Sequence, residues 1–407
     1  MENGGSSAWT PWFCGGDCLN AWIKAYSVEI DGLSDHGGAL VGLMTSLDKT
    51  LLNYRNAKAR AKAKQKVASS PSAVDSSSNL THPFTFLDTW KAEDVSEESV
   101  DRYWKSAETT FTPPSLGKRF MILDLLESWN DASSEDPTEL LTEFEGDCAR
   151  FVLDGLVRRA LQHTNTRGLD QTSDMTSSHV GTHSTLPNNG VMENVKPTGC
   201  WSDLLQLQNN ELEHVKSKPY MLGVFIRVYA FLRLVVLSAL AAANSTKKSR
   251  ARKGDASMQD PVKNSLPNQD ALLETLAKLL ETSESVRAVL ARDHGNVFGI
   301  WEKGSPSDSN GHGGDDDSSD SEMLGWGMYV FGSYFNHDCT PTVRKTQHGR
   351  SLCFTATRDI EPGEELCINY IDISQSNGVV KRNEELSKEW FFECGCARCE
   401  RERKELA

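Results

Sequence analysis

Apolar residues recur at a helical spacing through most of the chain, and the texture changes near Asn296. Residues 82–163 read as helical. Asp136-Pro137-Thr138-Glu139 has the form of a helix start: an N-cap, Pro at the first position and Glu at the third. Leu140, Leu141, Phe144, Cys148, Phe151, Val152 and Leu156 follow it at a 3.6-residue period. Residues 201–243 read as helical again. Asp270 caps one that carries Leu272, Leu273, Leu276, Leu279 and Leu280, and a last turn runs from Ser283 to Asp293 with Gly295 as its stop. Polar residues 164–199 and 244–268 read as disordered linkers. After Asn296 the runs NVFGIW, YVFGSYF, SLCFTATRD and ELCINYID predict strands, punctuated by Gly, Pro, Asp and Asn. The acid-rich stretch 304–322 reads as a disordered loop.

Met221 to Ala243 is long enough to span a bilayer. Arg227 and Arg233 sit inside it, at a cost of about 2.5–3.5 kcal/mol each near a bilayer centre. Its longest uncharged part, Leu234 to Ala243, is too short to cross. The run therefore predicts a buried core helix, with the arginines at its edge or paired with acids, and no membrane partner.

At roughly 150 residues per domain, 407 residues make two or three folding units. The apolar share of 38% and mean hydropathy of -0.46 leave part of the chain as loop. Acids exceed bases 57 to 43, a net charge of -14 that argues against direct nucleic-acid binding and favours basic partners. From Phe120 to Ala149 there is no Lys or Arg, an acidic face of the kind that is usually only solvated. Arg55, Lys58, Arg60, Lys62, Lys64 and Lys66 form a basic run, expected as a solvated helix fading into a Ser-rich linker by residue 81. No secretory signal opens the sequence. An intracellular monomer, in the nucleus, the cytoplasm or both, is expected.

Ten cysteines in such a chain suggest reduced thiols. Cys148, Cys200, Cys353 and Cys367 are scattered and read as small core hydrophobes. His179 and His183 stand four apart in a segment with no other helical sign, so a metal site there is not expected. Cys394, Cys396 and Cys399 form C-x-C-x2-C. Three sulfurs so close cannot all pair as disulfides, but they can face one tetrahedral Zn²⁺ that needs a fourth soft ligand. The best upstream donor is Cys339, and the alternative is a cysteine cluster without metal.

Three stretches carry a resemblance. SYFNHDCTPTV resembles the N-H-S-C-x-P-N motif of SET-domain lysine methyltransferases, RDIEPGEELCINYID their G-E-E-L-x-x-x-Y motif, and WFFECGCARC their post-SET cysteines. Their order and separations fit the MYND-containing (SMYD-like) branch over residues 290–400. Asp338 and Thr342 depart from the motif, where Ser and Asn are usual. No match to the family's Gly-rich first strand precedes Asn296, and Cys14 and Cys18 look like half of the MYND zinc module. The chain is therefore expected to start inside a split SET domain.

The resemblance implies methyl transfer from S-adenosylmethionine to a lysine of a histone tail or other basic segment. It implies Tyr370 at the methyl-transfer pore, Asn296, Asn336, His337 and Phe392 on the cofactor, and Cys339, Cys394, Cys396 and Cys399 on zinc. Tyr329 could line the lysine channel. A catalytically silent SET-like module that binds partners is the alternative. The expected architecture is α+β: a half zinc module over 1–54, a linker over 55–81, a helical insertion over 82–292, SET-like sheets over 293–373 and a zinc-pinned segment over 374–407.

Overall fold

The computed structural model describes residues 27–30, 33–36, 38–67, 84, 87, 89–112, 120–133, 140–169, 199–253, 267–301, 323–348, 351–373 and 378–406. Cys14, Cys18, His179, His183, the Asp136–Glu139 helix start and the acidic stretch 304–322 lie outside them.

Strands β1 (Ser27–Ile30) and β2 (Leu33–His36) form an antiparallel hairpin. Helices α1 (Gly38–Val67), α2 (Glu97–Thr110), α3 (Phe120–Ser133), α4 (Glu143–Leu169), α5 (Trp201–Gln206), α6 (Glu211–Ser217), α7 (Met221–Lys253), α8 (Pro267–Leu279) and α9 (Glu284–Asn296) follow. Helix α7 is the axis of the core and packs against α1, α3, α4 and α8. Val228, Tyr229, Ala230, Phe231 and Leu232 are all fully buried. Five successive residues at 100° steps cover every face of a helix, so α7 is surrounded by protein. By length and composition Met221–Ser245 could cross a membrane, yet most of it is buried against the other helices. Both of its arginines find partners inside the core. Arg227 pairs with Glu145 at 3.2 Å and lies over the Trp129 ring, while Arg233 donates to the Tyr229 hydroxyl and the Leu280 carbonyl.

Several boundaries differ from the sequence reading. Helix α1 runs through the expected junction at residues 54 and 55, and Leu43, Met44, Leu47 and Tyr54 join the main core. Helicity also continues to Leu169 and Lys253, into segments read as disordered. The helix read as starting at Asp136 has its described start at Glu143. There the Thr142 hydroxyl accepts the Glu145 N–H and the Glu145 carboxylate accepts the Thr142 N–H, a reciprocal cap. Glu145 is buried on Arg227, so the acidic face is not wholly solvated. Asp270 sits inside the first turn of α8, which opens on Pro267. Cys148 and Cys367 are buried as expected, whereas Cys200 and Cys353 are exposed.

The second part is a set of small sheets, making the fold a mixture of helices and short strands. Strand β3 (Val297–Trp301) pairs antiparallel with β4 (Met323–Met328), and β6 (Val343–His348) pairs antiparallel with β7 (Ser351–Ala356). Strand β5 (Asn336–His337) pairs in parallel with β8 (Cys367–Ile368). The YVFGSYF run is a turn rather than a strand: the Phe335 N–H bonds the Gly332 carbonyl, closing a 3-10 turn over Gly332–Tyr334, and the Ser333 N–H bonds the Tyr329 carbonyl just before it. Helices α10 (Val379–Glu389) and α11 (Ala397–Leu406) complete the chain. Between them a second core gathers Cys339, Ile371, Val379, Leu386, Cys394 and Cys399.

Candidate metal centre and adjoining pocket

The short β5–β8 ladder places Asn336 beside Cys367 and His337 beside Ile368, with Tyr370 just beyond. Thr342, at the position where the motif usually has Asn, is buried and ties this ladder together. Its hydroxyl accepts the Cys367 N–H at 2.9 Å and reaches the Glu365 carbonyl at 3.2 Å. Asp338, the other departure, accepts the Thr340 N–H at 2.6 Å and so closes the turn that aims Cys339 inward.

The sulfurs of Cys339, Cys394, Cys396 and Cys399 all lie within 4.8 Å of one another. Cys339 is 3.5 Å from Cys399 and 3.9 Å from Cys394. A tetrahedral ion with Zn–S bonds of about 2.3 Å sets its sulfurs about 3.8 Å apart, so the donor set fits that geometry. Burial holds the Cys339 thiol up, helped by Cys399 and Cys394, and pushes that of Cys394 up to about 12. Cys396 goes the other way: burial raises it, but hydrogen bonds from the Cys399 and Cys339 backbone and from the Cys394 and Cys399 thiols together hold it below the usual thiol range.

Arginines surround this cluster. Arg382 is fully buried, donates to the Cys399 sulfur at 3.5 Å and pairs with Glu402 at 2.8 Å. Arg398 bonds the Cys339 and Ile373 carbonyls, and Arg403 bonds the Cys394 carbonyl. Four thiolates around a divalent cation would carry two net negative charges, which these guanidiniums would offset. The sequence held one sign of this. Val379, Arg382 and Leu386 share the inner stripe of α10, where an arginine needs a buried partner.

His337 joins the sulfurs to the pocket. Its Nδ1 accepts the Tyr370 N–H at 3.1 Å, so in the neutral ring the proton is on Nε2, which faces Cys339 Sγ at 3.3 Å. Burial pushes its pKa down to about 4. Tyr370 packs on His337, Trp390 and Phe392, with ring centroids 5.4, 5.7 and 6.3 Å away. Its hydroxyl donates to the Phe335 carbonyl at 2.7 Å, and burial raises its pKa to about 12.

His337, Tyr370 and Phe392 thus meet in one aromatic group beside the cysteines. Asn336 is on the same strand but exposed, with its amide on Glu365 at 2.6 Å. Asn296 stands apart from that group. It is buried, and its amide donates to the Gln208 and Arg292 carbonyls. The Ser333 hydroxyl bonds its carbonyl and so links it to the turn before β5.

Trp390 and Phe391, which the motif reading passed over, close the gap. Phe391 sits at φ 61 and faces His294 at 5.2 Å, and Trp390 lies against Gly295. Gly295 ends α9 at φ +92, and a Cβ there would stand 2.6 Å from Asn210 Nδ2. The aromatic run before the cysteines was the available signal.

The SET domain family model matches residues 45–371, which encloses the helical core as well as the sheets. Over 117 residues the chain is 38% identical to "Potential protein lysine methyltransferase SET6" of Saccharomyces cerevisiae, covering 29% of this chain and 28% of that protein. It is 35% identical over 88 residues to human "Histone-lysine N-methyltransferase SMYD3", covering 22% and 20%. It is 36% identical over 78 residues to mouse "Protein-lysine N-trimethyltransferase SMYD5", covering 18% and 19%. These alignments span less than a third of each relative's own length. The match extends over most of the sequence, and the chain belongs to the SET domain family.

Proposed function

We propose that this chain is an S-adenosylmethionine-dependent protein-lysine N-methyltransferase that carries one structural zinc ion. The observation that carries the reading is the position of Cys339. One turn of backbone puts its sulfur in the four-cysteine cluster and His337 against Tyr370, so the cluster and the pocket are built together. Cys339, Cys394, Cys396 and Cys399 would hold the zinc, with Arg382 as its buried counter-charge.

S-adenosylmethionine would supply an activated methyl group on its sulfonium sulfur. Phe392, with Trp390 beside it, offers an apolar wall for the adenine, and Asn296 and the Asn336–His337 backbone supply polar contacts. The Asn296 side-chain N–H groups are spent on Gln208 and Arg292, and its side-chain Oδ1 would accept from the cofactor. Tyr370 and the Phe335 carbonyl would orient the lysine amine. The half-buried, aromatic surroundings favour the neutral amine, the form that attacks. The acidic net charge of -14 suits basic substrates such as histone tails, and the relatives named as histone methyltransferases support a nuclear or cytoplasmic setting.

The test is calorimetric titration with S-adenosylmethionine on zinc-loaded protein, followed by methyl transfer to histones. The reading expects cofactor binding by the wild type and by Tyr370→Phe, with transfer lost in the variant. Zinc binding without cofactor binding would instead mark a catalytically silent module.

A further inference from the structure

Lys345 is a lysine in an unexpected place. It lies on β6 with Val343 and Gln347 on its face, and Gln347 bonds both backbone groups of Trp301 on β3. The β3–β4 hairpin therefore lies along this face. The Lys345 ammonium sits 5.0 Å from the centroid of Phe298, within cation–π range. Phe298 meets Tyr329 and Phe354 edge-on at 5.8 and 6.2 Å, and Phe354 stacks on Phe335 at 4.9 Å. Phe335 is the residue whose carbonyl takes the Tyr370 hydroxyl. A continuous aromatic wall thus runs from the Lys345 ammonium to the proposed transfer site.

Among the described residues no carboxylate pairs with Lys345. Burial lowers its pKa, as expected of a cation without a partner. A flexible four-carbon stem could carry the ammonium to water, yet the charge rests on the ring instead. An aromatic path ending at a tyrosine is also the surface that an incoming substrate lysine needs, for the same cation–π reason.

Resting on the methyltransferase reading above, we infer that Lys345 is a built-in competitor for the substrate-lysine path: its ammonium occupies the Phe298 face and must yield before a substrate ammonium can settle there. It is a specificity-determining residue, selecting substrates whose flanking contacts are strong enough to displace it. Two cations cannot share one ring face without repulsion, so the cost falls on substrate binding.

The test uses the full chain, zinc-loaded, with a histone H4 tail peptide as probe. S-adenosylmethionine binding is measured first, then peptide affinity and methylation, for the wild type, Lys345→Met and Lys345→Arg. Methionine keeps the length and removes the charge, and Lys345→Gln serves the same purpose if methionine disturbs folding. Peptide Kd and KM are expected to fall about tenfold in the uncharged variant, equivalent to about 1.4 kcal/mol, with kcat unchanged and Lys345→Arg resembling the wild type. Cofactor binding with peptide affinity unchanged or weaker in Lys345→Met would overturn this inference and leave the methyltransferase reading intact. A fall in kcat in Lys345→Met would also overturn it, because it would mean that Lys345 assists the reaction. Absence of cofactor binding in every variant would overturn the reading and this inference with it.

Discussion

The sulfur of Cys339 lies 3.5 Å from that of Cys399, sixty residues further along the chain. This contact closes the C-terminal segment over the β5–β8 ladder and fixes Trp390, Phe391 and Phe392 against His294, Gly295, His337 and Tyr370. The pocket is therefore a consequence of the cluster, and disturbing one should disturb the other.

Replacing Cys339 by Ser removes one sulfur of four. Elemental analysis of the purified variant should show the ion lost or sharply reduced. Limited proteolysis should then cut near residues 378–406, which the wild type protects until a chelator is added.

Arg382 gives a sharper test of the charge balance around the sulfurs. Met is close in bulk but neutral, so Arg382→Met should weaken zinc by about 10–100-fold in a chelator competition. Glu402→Gln, which removes a negative charge from the same group, should not weaken it. Equal losses in both variants would make the effect one of packing alone.

The core helix offers a stability prediction independent of the pocket. Arg227→Met leaves the buried Glu145 carboxylate without this counter-charge and should cost about 3–5 kcal/mol in denaturant unfolding. Adding Glu145→Gln should recover much of that loss, since the pair then vanishes together.

Acid should loosen the joint between α6 and the end of α9. His214 and His294 have ring centroids 4.2 Å apart, and burial, then the neighbouring imidazole, pushes His214 down to about 3. Lys218 lowers it further and Glu389 opposes. The unfolded chain then binds the proton more readily than the folded one. The stability owed to a neutral His214 is present above its ordinary value near 6.5 and is lost as pH falls toward 3. Between pH 7 and 5 the wild type should lose about 2 kcal/mol more than His214→Gln, read as the difference in unfolding free energy.

Much of the candidate site was legible because its chemistry is local. Cys394, Cys396 and Cys399 announce by spacing a cluster that could hold one ion, and Gly295 announces a helix stop by its freedom at positive φ. The core role of α7 followed from two arginines too costly for lipid. What could not be read depended on partners distant in sequence. Two cap-like patterns, at Asp136 and Thr142, stand six residues apart, and local chemistry does not rank them. The YVFGSYF run has strand-like composition, but Gly332 faces the Phe354 ring so closely that a Cβ would stand 2.9 Å from it, which favours a tight turn. Asn336 carries the motif, yet its amide bonds Glu365, a residue 29 positions away. Lys345 lies over Phe298, a residue 47 positions earlier on another strand, a pairing that no local pattern reveals.

The central claim is that the four-cysteine cluster builds the cofactor pocket. The most direct measurement is a calorimetric titration of S-adenosylmethionine into the zinc-loaded protein and into the same protein after zinc removal. Binding to the loaded form, lost on chelation and regained on adding zinc back, is the predicted result. Equal affinity with and without the ion, or no binding to the loaded form, would contradict it.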